Sequence, residues 1–110
     1  MKLPTIKKNY EFRSIYSKGK SLADKNLVLH NCEKRLDFSR FGISISSKVG
    51  KAVTRNKIKR QIKEILLNNI DRISDEYDII FVVRVKCNQA DFSEIERSVL
   101  KLLKKASILY

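Results

Sequence analysis

The chain has little of what metal sites and acid–base catalysis are usually built from: one histidine, two cysteines and no tryptophan. With His30 alone no histidine pair can share general acid and base work, and His30, Cys32 and Cys87 do not supply the four soft ligands of a structural zinc site. The cysteines lie far apart in sequence and read as free, partly buried thiols. The one proline, Pro4, precedes the first expected helix, and no repeat or low-complexity segment is present. No apolar run approaches the roughly 18 residues that cross a bilayer. The opening stretch MKLPTIKKNYEF also lacks the apolar core of a signal peptide. A cytoplasmic protein with no membrane partner is expected.

Acids are scarce as well. Twelve Asp and Glu face 24 Lys and Arg, giving a formal charge of +12 on 110 residues. A chain that is 43% hydrophobic can bury a core, so one domain over residues 1–110 is expected. The unneutralised charge then calls for a polyanionic partner.

Local patterns give the order of elements. Asn9 can cap a helix running to Lys18, with Phe12, Ile15 and Tyr16 on an aromatic face and Gly19 as its stop. KSLADKNLVLHNC alternates as a short edge strand and a longer strand near Leu27–Cys32, and EKRLDFS is a polar connection. In RFGISIS, Phe41, Ile43 and Ile45 share one face, and Gly42, Ser44 and Ser46 the other. Gly50 precedes a helix from about Ala52 to Asn69. DIIFVVRV suits a strand buried on both faces. Asp91 and Glu94 form a capping pair for a last helix whose stripe is Phe92, Ile95, Val99, Leu102, Leu103 and Ala106.

The segment KVGKAVTRNKIKRQIKEIL carries the functional signal. Seven cations, Lys48, Lys51, Arg55, Lys57, Lys59, Arg60 and Lys63, precede its first acid, Glu64. At about 100° per residue, Ile58, Ile62, Ile65 and Leu66 converge on a core stripe, and Asn56, Lys59, Arg60 and Lys63 share an adjoining arc. Arg55 and Lys57 fall in the first turn, where cations oppose the helix dipole and cost some tenths of a kcal/mol each. Sites that break local rules are often functional ones. A solvated charged face would mix signs, whereas an acid-free arc suits phosphates: arginine forks grip them bidentately, lysines add point charges, and Asn56 can both donate and accept hydrogen bonds.

That segment resembles the signature of the bacterial ribonuclease P protein family, a Gly-any-Ala-Val followed by Arg-Asn-any-Ile-Lys-Arg. Gly50, Ala52, Val53, Arg55, Asn56, Ile58, Lys59 and Arg60 match it. KKNYEF, FGISIS, YDIIFVVR and the closing helix occupy the family's places, so the resemblance spans essentially the whole chain. It implies an α+β fold with a mixed sheet in the order αβββαβα and a left-handed βαβ crossover carrying the basic helix, although about 98% of such connections are right-handed.

The resemblance also implies a function. The protein would bind the catalytic RNA through the basic set and hold the 5′ leader of precursor tRNA in a cleft between the first helix and the sheet, promoting endonucleolytic removal of that leader. Phe12 and Tyr16, at i and i+4, share a helix face that can stack on bases. A pair of rings that only fills the core is the bland alternative. His30 stands where the family generally has a tyrosine or similar aromatic, and Ser46 ends the polar face of the third strand; both are expected beside the leader. Lys57, where arginine is common, keeps the charge without the fork.

A nuclease working alone would need clustered carboxylates or a histidine pair. The four acids of DRISDEYD read as a polar loop that ends a helix. Chemistry is therefore expected to lie with the RNA and its Mg2+ ions, with no cofactor on the protein. A ribosomal-type RNA-binding protein would share the charge and fold class but need no aromatic cleft. A DNA-binding module would present base-reading side chains away from the core, and no DNA partner is expected.

Overall fold

The structure, a computed structural model, describes residues 3–33 and 38–110. Its elements are α1 (Asn9–Lys18), β1 (Lys20–Ala23), β2 (Leu27–Glu33), β3 (Arg40–Ile45), α2 (Ala52–Asn68), β4 (Tyr77–Val83) and α3 (Phe92–Lys105). This is the expected αβββαβα order. Of the polar connection expected at EKRLDFS, residues 34–37 lie outside the described residues.

The four strands form one mixed sheet in the order β1-β2-β4-β3. β1 with β2 and β2 with β4 are antiparallel, whereas β3 and β4 are parallel neighbours joined through α2. The period-2 alternation of β4 splits it between two layers. Ile79, Phe81 and Val83 enter the main core with Ile58, Ile62, Ile65 and Leu66 of α2 and Ile95, Val99, Leu102 and Leu103 of α3. Ile80 turns the other way and meets Ile6 and Ile15, with Phe12 and Val82 packed against them. Thus α1 lies on one face of the sheet and α2 and α3 on the other.

Polar anchors set the layers. Arg40 forks Asp78 through Nε and Nη2, at 3.0 and 2.9 Å, and its Nη1 donates to Glu11 of α1. Those carboxylates, Asp78 foremost, raise the guanidinium pKa further, although burial opposes them. At the far end of the sheet Asp24 accepts from the backbone N–H groups of Asn26 and Leu27, at 2.9 Å each, and pairs with Lys101 at 3.3 Å.

Helix ends differ in part from expectation. Lys8, not Asn9, is the N-cap of α1, and its side chain makes no cap bond; Asn9 is already helical, because the Glu11 and Phe12 N–H groups bond to the Lys8 carbonyl. Gly19 does end the helix, but in extended backbone at φ −87°. It is needed for close approach, since a Cβ there would lie 2.4 Å from the Asn31 carbonyl oxygen. Asp91 caps α3 as expected, accepting from the Glu94 N–H at 2.8 Å. Among the described residues no helix is long and apolar enough to cross a membrane.

Candidate nucleic-acid interface

The four aliphatics of α2 that point into the core fix the rotation of everything else on the helix. Ile58, Ile62, Ile65 and Leu66 are all at most 4% exposed. Asn56, Lys57, Lys59, Arg60 and Lys63 are consequently exposed, with Lys51 at the N-cap and Lys48 in the turn before it. Among the described residues none of these cations forms an ion pair. The first turn of α2 contains no acid, so the positive end of the helix dipole adds to the side-chain field instead of being offset.

The turn into α2 is built for this display. Gly50 has φ 158° and ψ −172°, backbone that side-chain-bearing residues rarely adopt. Its carbonyl accepts from Nε of Arg55 at 3.1 Å, which holds that half-buried guanidinium against the turn. The terminal nitrogens of Arg55 make no hydrogen bond among the described residues.

On the other face of the sheet α1 and β3 enclose an open groove of about 440 Å³, lined by Asn9, Phe12, Arg13, Tyr16 and Ser44. The four helical residues fall at i, i+3, i+4 and i+7, one stripe of α1. Phe12 reaches over β3 because Gly42 has no side chain: a Cβ there would come within 2.8 Å of the Phe12 ring. The rings of Phe12 and Tyr16 lie 6.3 Å apart, and Tyr16 meets His30 of β2 edge-on at 4.7 Å. Burial lowers the pKa of His30, favouring the neutral ring. Tyr16 remains 40% exposed and so offers a surface for a further ring.

Of the residues expected at the leader, Phe12, Tyr16 and His30 therefore form one contiguous set. Ser46 lies just beyond the end of β3, exposed and outside the groove lining, where it precedes the turn at Ser47–Val49. Sequence reading missed Asn9 and Arg13, although their spacing from Phe12 and Tyr16 carried the signal. It also missed Arg40, which ties α1 to the sheet.

The family model described as Ribonuclease P matches residues 2–107. The ribonuclease P protein component of Clostridium botulinum (strain Loch Maree / Type A3) is 46% identical over 109 residues, 98% of each chain. That of Clostridioides difficile (strain 630) is 46% identical over 104 residues, 94% of this chain and 91% of the relative. Among solved structures, the Staphylococcus aureus RNase P protein at 2.0 Å superposes with a TM-score of 0.92 and 38% identity, covering 99% of this chain and all of that one. The Thermotoga maritima RNase P protein gives 0.85 and 33%, covering 92% of this chain and 96% of its own.

Proposed function

This chain belongs to the ribonuclease P protein family, and from that premise we propose that two separate surfaces, acting as parts of one domain, divide its work on RNA. It is a subunit of the ribonucleoprotein endoribonuclease and partners the ribonuclease P RNA. The basic face, Lys48, Lys51, Arg55, Asn56, Lys57, Lys59, Arg60 and Lys63, docks on that RNA. The groove of Phe12 and Tyr16, with His30 behind it and Ser46 near its end, takes the 5′ leader of precursor tRNA. Stacking contributes about 1–3 kcal/mol per base and tolerates any sequence, which suits leaders that differ between transcripts.

The observation that carries this reading is the arc of exposed cations, none of them in an ion pair among the described residues, on a helix whose rotation is fixed by four buried aliphatics. Such an arc neutralises phosphates and releases their counterions. Among the described residues no group of three or more His, Cys, Asp or Glu is placed to hold a metal ion, so no residue is assigned as a ligand. The protein's part is to bind, orient and screen charge, and the magnesium-dependent hydrolysis belongs to the RNA.

The test is cleavage of precursor tRNA at low magnesium by a bacterial ribonuclease P RNA, with and without this protein, mapping the 5′ end of the product. Stimulation at the mature terminus, with no cleavage by protein alone, is the expected result. Failure to stimulate any compatible RNA would return the chain to general RNA binding, and cleavage without RNA would overturn the assignment of the chemistry.

A further inference from the structure

A third surface lies between the N-terminal segment and α2, where it shares Lys63 with the basic face but is otherwise lined by residues that neither role above uses. The Phe41 N–H donates to the Pro4 carbonyl and the Ile6 N–H to the Phe41 carbonyl, both at 2.9 Å, so this segment runs along the free edge of β3. It walls a hollow of about 650 Å³ against α2, within the range of about 300–1,000 Å³ common for ligand sites. Leu3, Pro4, Phe38 and Leu67 supply apolar surface, and Lys7 and Lys63 supply charge. Arg40 also reaches the hollow, but its guanidinium is held by Asp78 and Glu11. Neither Lys7 nor Lys63 forms an ion pair among the described residues. Phe38 is 50% exposed. An adjoining hollow of about 220 Å³ shares Leu3, Thr5 and Lys63 and adds Lys59.

A half-exposed aromatic ring lining the same hollow as two lysines that form no ion pair among the described residues matches a ligand that joins a flat apolar ring to a negative charge. A nucleotide is such a ligand. We propose that this hollow takes one unstacked nucleotide of the ribonuclease P RNA, its base on Phe38 and its phosphate at Lys63 and Lys7. The inference rests on the reading that α2 docks on that RNA. Continuity favours this occupant: Lys59 and Lys63 belong to the same arc of α2, so a strand tracking the arc passes the mouth of the hollow. A second copy of a chain carrying +12 would bring like charge instead. The leader has its own groove, which opens between α1 and Ser44.

The test is equilibrium binding of the full-length protein to the RNA subunit, with chemical footprinting of the RNA. Phe38→Ala and Phe38→Leu are each expected to weaken binding about 5- to 150-fold, the range of one lost stack, with Phe38→Tyr close to wild type. The ratio of precursor to mature tRNA affinity should hold, and one nucleotide protected by the wild type should become reactive. Lys63→Ala should reduce the salt slope by about 1. Thermal melts of each variant separate loss of the site from loss of the fold, and Leu retains the apolar bulk if Ala does not fold. Wild-type affinity in Phe38→Leu, an unchanged footprint, or a change in self-association with RNA affinity intact would overturn this inference alone. No affinity of the wild type for any RNA subunit would overturn it together with the reading beneath it.

Discussion

Cys87 lies in the main core, in the turn Val85–Gln89 after β4, where burial first and the charges of Asp24 and Glu94 second push its thiol up to about 11. Cys32 is only partly buried, on the α1 face of β2. Thiolate is the reactive form, so a thiol reagent at mildly alkaline pH should label one cysteine quickly in the folded protein and both after denaturation. Mass mapping of the fast adduct to Cys87 would refute the assigned burial. His30 gives a second residue-scale expectation. Its pKa is lowered by burial, so near and below the ordinary value of about 6.5 the unfolded chain binds more protons than the folded one. The stability that neutral His30 contributes is thus present above about 6.5 and lost as pH falls through its folded value. His30→Tyr should flatten the fall in Tm over that window; an equal slope in the variant would show that His30 is not the group titrating. The position of His30 beside the cleft was expected from the family resemblance, but its edge-on seat against Tyr16 was not, because that contact joins residues from two separate elements.

At the scale of elements, periodicity told most where a segment presents one face to one layer. The stripe of α2 was readable because Ile58, Ile62, Ile65 and Leu66 recur at helical spacing, and every one is buried. A measurable consequence follows from the arc that this stripe leaves outside. Replacing Lys59 and Arg60 together by alanine should weaken RNA-subunit binding and lower the slope of log affinity against log salt by about 2, as two phosphate contacts are lost. A slope unchanged by the double substitution would mean that both side chains only face solvent. In β3 the alternation put Gly42 on the face opposite Phe41, yet nothing local said that Phe12 would lie on it. Docking of α1 is a tertiary contact between segments far apart in sequence, beyond the reach of a local pattern. Gly42→Ala should therefore cost about 1–3 kcal/mol through overpacking against Phe12, and it should lower leader-dependent affinity while RNA-subunit affinity holds. Unaltered discrimination between precursor and mature tRNA in a folded Gly42→Ala protein would count against Phe12 in the leader groove. The cap of α1 was also misplaced: Asn9 is a good cap by type, but the chain turns helical one residue earlier.

Across the whole molecule, composition indicated a polyanionic partner, and the segment order matched the family, but strand order stayed hidden. β4 inserts between β2 and β3, pairing Val28 with Val82 and Phe41 with Ile79, and alternation within a strand does not choose its neighbours. The charge itself has a consequence for the free protein. The fold measures 36 × 28 × 26 Å, well beyond the screening length of about 10 Å at 0.1 M salt, so the excess of +12 repels itself chiefly between neighbouring cations, as along α2. Among the described residues the ion pairs involve Lys25, Arg40 and Lys101 and leave the α2 arc unneutralised. General salt should relieve part of this repulsion by screening. An anion that binds the folded arc adds a further increment that grows with its concentration over Kd, about 2.7 kcal/mol at ~100 times Kd. Sulfate or phosphate should therefore raise Tm by more than sodium chloride of equal ionic strength, and the surplus should shrink in the protein lacking Lys59 and Arg60. Identical Tm values in sulfate and chloride would show that the repulsion is diffuse, with no anion site on α2. A surplus that survives the double substitution and rises linearly with concentration would be the general exclusion of sulfate and phosphate from the surface; one that follows the logarithm of concentration over Kd would place the site elsewhere, with the hollow at Lys7 and Lys63 the next position to vary.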